Sequence, residues 1–167
     1  MELSEIIRTR KSIRKYKPTP VEEALLQEIL EAGRLAPTAG NGQNWYCLVV
    51  RNAEVLRRLG EACNNQHWAG EAPVNLVICG TNNRTMPCGQ YINPIDCSIV
   101  TTQMMLKATE LGLGSCWLGA FFTDQVKEVL QIPEEDTVIA VMPIGYADID
   151  PEARPRKESA EFFRFID

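Results

Sequence analysis

Gly112-Leu113-Gly114-Ser115-Cys116-Trp117-Leu118-Gly119-Ala120 is the stretch on which the fold turns, because its glycines invite a dinucleotide-binding reading and its order refuses one. A Rossmann fingerprint runs strand, Gly-x-Gly-x-x-Gly, helix, so that a pyrophosphate meets a helix N-terminus. Here the helix comes first. Asn93 and Pro94 read as cap and first residue of the longest helix, Pro94 to Leu111, and Gly112 stands where a left-handed residue would end it. The residues after Gly112 read as a short strand ended by Gly119, where a missing side chain lets a flat ligand approach the backbone.

Working outward, Thr123 and Asp124 open a short helix to Leu130, Pro133 stops it, and Val138 to Ile144 reads as a strand. On the other side, Trp45–Arg51 and Val74–Cys79 are nearly continuous apolar runs, the pattern of strands buried on both faces. A helix over Ala53–Ala62, capped by Asn52 and burying Val55, Leu56 and Leu59, lies between them. The spacing Thr19-Pro20-Val21-Glu22 predicts an N-cap at Thr19, helix from Pro20, and a capping box closed by Glu22. Val21, Leu25, Ile29, Ala32 and Ala36 would form that helix's apolar stripe before Pro37 ends it. Residues 3 to 9 read as a short helix with Leu3, Ile6 and Ile7 on one face. In the long helix the stripe runs through Ile95, Ile99, Thr102, Met105, Leu106, Thr109 and Leu113. Residues 81 to 92 carry no period and read as a polar surface loop of a length suited to covering a site.

The 167 residues, 45% of them hydrophobic, suffice for one domain spanning 1–167 with its own core. No cationic segment precedes an apolar run at the start, and no apolar stretch nears the roughly 20 residues that cross a bilayer, so a cytoplasmic protein without membrane contact is expected. The six cysteines include no Cys-x-x-Cys pair, which favours reduced thiols. Cys47 and Cys79 read as core residues, whereas Cys88, between Pro87 and Gly89, is the candidate reactive thiol. With His67 the only histidine, no metal site is expected, and any catalytic triad would have to use that residue. An enzyme built this way draws its chemistry from something it binds.

Charge is distributed unevenly. Arg8-Thr9-Arg10-Lys11-Ser12-Ile13-Arg14-Lys15-Tyr16-Lys17 holds six cations in a chain of net charge -5. A solvated surface, a nucleic-acid patch and a site for one compact anion all fit such a run. A second cluster, Arg154 and Arg156 in a proline-stiffened segment, favours the compact anion. Two guanidinium groups from each end of the chain, with the Ser12 hydroxyl, could hold a phosphate. Between them, Pro37-Thr38-Ala39-Gly40-Asn41-Gly42-Gln43-Asn44 is longer than a connection needs, and its amides can read the edge of a heterocycle.

Four segments in order, Arg10 to Arg14, Ala36 to Trp45, Gly112 to Gly119 and Pro155 to Lys157, resemble the FMN-dependent nitroreductase family over essentially the whole chain. The resemblance implies an α+β fold with a mixed, mostly antiparallel sheet flanked by helices, and an intertwined homodimer with FMN at the interface. It implies that Arg10, Lys11, Ser12 and Arg14 bind the cofactor, Lys11 only by its place in the motif, since Lys11, Lys15 and Lys17 otherwise read as solvated. Arg10, Ser12 and Arg14 would reach the phosphate, ribityl chain and pyrimidine side, and Arg154 and Arg156 would complete the phosphate grip. Pro37, Thr38, Asn41 and Gln43 would come from the other subunit to line the flavin ring. Leu118 and Gly119 would lie by the isoalloxazine with a backbone N–H near N5. Two departures are Pro37-Thr38 where the family more often has Pro-Ser, and Gln43-Asn44-Trp45 where it has Gln-Pro-Trp.

The implied activity takes a hydride from NADH or NADPH onto FMN and passes electrons to a small organic acceptor, nitroaromatic, quinone or enone, by a ping-pong mechanism. No protein acid or base is assigned. The rival reading is a flavin-binding or flavin-delivery protein without turnover. Nucleic-acid binding is disfavoured by the acidic balance and the lack of a broad basic face.

Overall fold

The computed structural model describes residues 2–166. The chain runs α1 (Leu3–Thr9), α2 (Glu23–Arg34), β1 (Trp45–Val50), α3 (Ala53–Ala62), α4 (His67–Glu71), β2 (Val74–Gly80), α5 (Ile92–Glu110), β3 (Gly114–Ser115), α6 (Thr123–Leu130), β4 (Thr137–Gly145) and α7 (Ser159–Phe162). The sheet order is β1-β2-β4-β3, with every neighbouring pair antiparallel. A parallel bridge between Ser12 and Ser115 continues it beyond β3.

The continuous apolar run of β2 is explained by helices on both faces. Leu76 and Ile78 join Leu26, Ile29, Val100 and Met104 in a core beneath α2 and α5. Val77 and Cys79 alternate to the other face, against Leu56, Leu59, Ala69 and Val126 of α3, α4 and α6. The α2–α5 packing is close enough to need Gly33, since a Cβ there would stand 2.0 Å from Cε of Met104.

Several boundaries differ from expectation. α2 starts at Glu23 rather than Pro20, with Glu22 extended at the cap position and no side-chain cap. The Glu22 carboxylate instead accepts from the Tyr146 hydroxyl at 2.7 Å, which removes the reciprocal half of the capping box. α5 starts earlier than expected, at Ile92, with Pro94 still in the first turn where its absent N–H costs nothing. The Asn93 N–H is met by Oδ1 of Asn83 at 3.2 Å. β1 is only half-buried along most of its length because it is an edge strand. α4 and α7 were not legible from periodicity.

The face of α5 that turns inward matches the expected stripe only in part, at the buried Met105. Ile92, Cys97, Val100, Met104 and Ala108 are buried. Ile95 and Leu106 are half-buried, and Ile99 is 38% exposed. A helix apolar on both sides offers two stripes, and period alone cannot say which faces the sheet.

Candidate cofactor site

The basic segment is laid along the sheet by its apolar members. Ile13 and Tyr16 are buried. The Ile13 N–H donates to the Ser115 carbonyl at 3.0 Å, and the Lys17 N–H donates to the Tyr146 carbonyl at 2.8 Å. The Tyr16 hydroxyl donates to the Ile13 carbonyl at 2.6 Å and also lies 3.2 Å from that of Pro143. Gly114 makes the seat for Ile13, since a Cβ there would come within 2.7 Å of Ile13 Cγ1. The polar alternate positions are thereby left to the other side.

Those positions and the C-terminal segment enclose one cavity of about 590 Å³, lined by Arg10, Lys11, Ser12, Arg14, Arg154 and Arg156. The two cationic clusters predicted from opposite ends of the chain therefore share a wall. The lining also includes Arg8 and Glu152, which motif reading left out.

Lysines and arginines are treated differently around this cavity. Lys11 lies 2.6 Å from the Asp150 carboxylate, Lys15 lies 2.9 Å from that of Asp148, and Lys157 lies 3.4 Å from that of Glu161. The Asp148 hydrogen bond raises the Lys15 pKa and lowers that of Asp148 in return. Among the described residues, Arg10, Arg14, Arg154 and Arg156 have no carboxylate oxygen within 4.0 Å. Their field reaches the buried thiol of Cys116. Burial raises that pKa, and Arg14, a Ser12 hydrogen bond and Arg10 oppose the rise.

The expected ring-lining residues lie elsewhere. Pro37, Thr38, Asn41 and Gln43 belong to a loop that does not line the cavity of the same chain. Asn41 and Gln43 are left-handed, with φ of 53° and 51°. The loop is fixed by its own bonds: the Gln43 N–H donates to Thr38 Oγ1 at 3.1 Å, and the Gln43 amide to the Asn41 carbonyl at 3.3 Å. The Ala39 N–H donates to the buried Asp96 carboxylate at 3.0 Å, tying the loop to α5.

Leu118 and Gly119 divide their expected roles. The Leu118 side chain is buried, and its N–H donates to the Val141 carbonyl at 3.0 Å. Gly119 is exposed, and a Cβ built there would meet nothing within 4 Å. The open backbone suited to a flat ligand is thus that of Gly119. The 81–92 segment is a small hairpin, with Thr85 bridged to Tyr91 and the Met86 N–H donating to the Gln90 carbonyl at 2.8 Å. It does not line the cavity of its own chain, and Cys88 is exposed upon it. His67 is exposed at the start of α4, and among the described residues no cluster of His, Cys, Asp or Glu could hold a metal ion.

The family model described as Nitroreductase family matches residues 7–84 and 63–146. A nitroreductase family protein from Clostridium difficile 630 has the same fold at a TM-score of 0.90 and 33% identity, over 99% of this chain and 98% of that one. The chain belongs to the nitroreductase family. A Methanothermobacter thermautotrophicus protein, named for NADH dehydrogenase/NAD(P)H nitroreductase activity, is 33% identical over 92% of this chain and 82% of its own. The NADPH:FMN oxidoreductase of Vibrio harveyi, solved with NAD+, matches at a TM-score of 0.90 and 26% identity, over 98% of this chain and 76% of that one. As a nitroreductase family member the chain thus carries the sheet and helices of larger relatives together with a cavity built from both its ends.

Proposed function

We propose that this chain is an NAD(P)H-dependent oxidoreductase that works through bound FMN and completes its site as a homodimer. The observation that carries the reading is the set of guanidinium groups of Arg10, Arg14, Arg154 and Arg156 around one cavity, carboxylate-free among the described residues. A phosphate monoester dianion satisfies such a set through bidentate contacts, and FMN ends in one. The similarity to the NADPH:FMN oxidoreductase supports the same choice.

Arg10, Arg154, Arg156 and the Ser12 hydroxyl would hold the phosphate, with Lys11, tied to Asp150, adding charge. Arg14 would face the pyrimidine side, where a fixed cation favours the reduced, anionic form. The exposed backbone at Gly119 would meet the ring edge. Held there, FMN would supply the hydride chemistry that links NAD(P)H to a small nitroaromatic, quinone or enone acceptor.

The homodimer rests on surfaces that one chain leaves open. The loop carrying Pro37, Thr38, Asn41 and Gln43 lies outside its own cavity, which fits the expectation that a second copy would supply it there. The outer stripe of α5, with Ile99 and Leu106, lines an apolar groove of about 330 Å³. Leu3 and Ile7 on α1 are 63% and 57% exposed, as are the tail aromatics Phe162, Phe163 and Phe165 at 60%, 64% and 89%. The deciding test is the visible spectrum of the purified protein with added FMN, followed by NADH and NADPH oxidation against an acceptor panel. A colourless protein that takes up no FMN overturns the reading, and FMN binding without NAD(P)H consumption selects the delivery role.

A further inference from the structure

We infer that Trp68 is a positioning residue for Arg14, and that α4 serves as the bracket that presents it; this rests on the proposed role of FMN. Arg14 Cζ lies 5.9 Å from the centroid of the Trp68 ring. Arg14 is exposed and, among the described residues, has no carboxylate within 4.0 Å, so the ring is the group that limits where its guanidinium goes.

The choice of an aromatic partner has a physical consequence. A carboxylate would order the arginine and also cancel its charge and occupy its N–H groups. A ring face orders it through the quadrupole and leaves those N–H groups free for an anionic ligand. Part of the rotamer entropy that binding would otherwise cost is then lost during folding.

Trp68 is itself firmly seated. It packs against Ile13, Tyr16 and Ala72, the anchors of the basic segment. The next residue, Ala69, is fully buried, and its carbonyl accepts from Nδ2 of Asn75 in β2 at 2.8 Å. α4 sits so near α3 that a Cβ on Gly70 would lie 2.5 Å from the Leu56 carbonyl oxygen. At the other end, the Gln66 amide donates to the Ala120 carbonyl at 3.2 Å, one residue beyond Gly119. The five-residue helix thus presents Trp68 to Arg14, and the residue that caps it is bonded next to Gly119.

The experiment measures FMN affinity for wild type, Trp68→Leu, Trp68→Phe, Arg14→Ala and the Arg14→Ala/Trp68→Leu double variant. The flavin reduction potential and the 15N order of the Arg14 Nε–H in protein without added flavin are measured alongside. Trp68→Leu is expected to weaken FMN about three- to tenfold, lower the potential and mobilise Arg14, with Trp68→Phe restoring most of each. In the Arg14→Ala background Trp68→Leu should add nothing. An equal loss in both backgrounds, or an Arg14 Nε–H equally ordered in wild type and Trp68→Leu, overturns the inference. Wild type that takes up no FMN overturns the proposed function instead, and the Arg14 order still decides the role of Trp68.

Discussion

Lys11 holds its ammonium 2.6 Å from the Asp150 carboxylate, while Arg10, the residue before it, has no carboxylate within 4.0 Å among the described residues. The same sorting recurs at Lys15, which is paired with Asp148, and at Arg14, which has no carboxylate partner among the described residues. Acids just ahead of Arg154 and Arg156 neutralise the lysines and leave the arginines available. In a chain of net charge -5, that arrangement concentrates positive potential in one cavity instead of spreading it over a face.

Replacing Arg154 or Arg156 with Ala is expected to weaken FMN roughly 10- to 100-fold, the loss typical of charge-assisted hydrogen bonds. Lys15→Ala, which removes an exposed and already paired cation, should change it by less than about twofold. Fluorescence titration at two salt concentrations checks both, and equal effects from arginine and lysine variants would contradict the sorting.

Two glycines should fail in opposite ways. At Gly114 an added Cβ would stand 2.7 Å from Ile13 Cγ1 and 2.9 Å from its Cβ, so Gly114→Ala must displace the basic segment. It is expected to cost about 1–3 kcal/mol of stability. At Gly119 nothing lies within 4 Å, so Gly119→Ala should leave Tm unchanged and reduce FMN affinity by filling the open backbone face. Thermal melts paired with FMN titration separate the two; a Gly119→Ala protein with native affinity would remove Gly119 from the ring site.

Burial pushes the Cys63 and Cys97 thiols up to about 12 from 9.0. The folded state keeps those protons where the unfolded chain releases them. Their contribution is therefore full below about pH 9 and is lost as pH rises toward about 12. Stability should fall by on the order of 1 kcal/mol per buried thiol by about pH 10, and Cys63→Ala should flatten the slope. Melting temperatures that stay level across this range would contradict it. With a thiol reagent at neutral pH, the exposed Cys88 should react first, and Cys88→Ser should abolish the fast phase.

The convergence of Arg10 and Arg14 with Arg154 and Arg156 was legible in the sequence because like charges in an acidic chain need a shared counter-ion. β2 was legible because an apolar run interrupted only by Asn75 demands cover on both faces. Other features were hidden by competition between equal local signals. Thr19 and Pro20 carry a good helix start, but Tyr146, distant in sequence, takes the Glu22 carboxylate. α4 is too short to show a period, and it follows Asn64 and Asn65, both left-handed. Trp68 therefore carries no signal of its role in the sequence, and only the fold sets it beside Arg14.

The dual-faced α5 yields the last prediction. Its inward face is filled by the α2 and sheet residues, so the outward stripe through Ile99 and Leu106 is left only partly covered by the single chain. The exposed tail aromatics repeat the condition at the C-terminus. If a second copy covers both, Ile99→Glu should shift the protein toward monomer without unfolding it, because the native side chain is already 38% exposed within one chain. Deleting residues 158–167 should weaken both dimerisation and FMN retention, because the exposed tail aromatics would dock across the proposed dimer that completes the site. Sedimentation velocity with absorbance at the flavin band reads both quantities in one experiment. A truncated protein that stays dimeric and yellow would show the tail to be dispensable, and a flavin-loaded Ile99→Glu monomer would show that one chain suffices for the site.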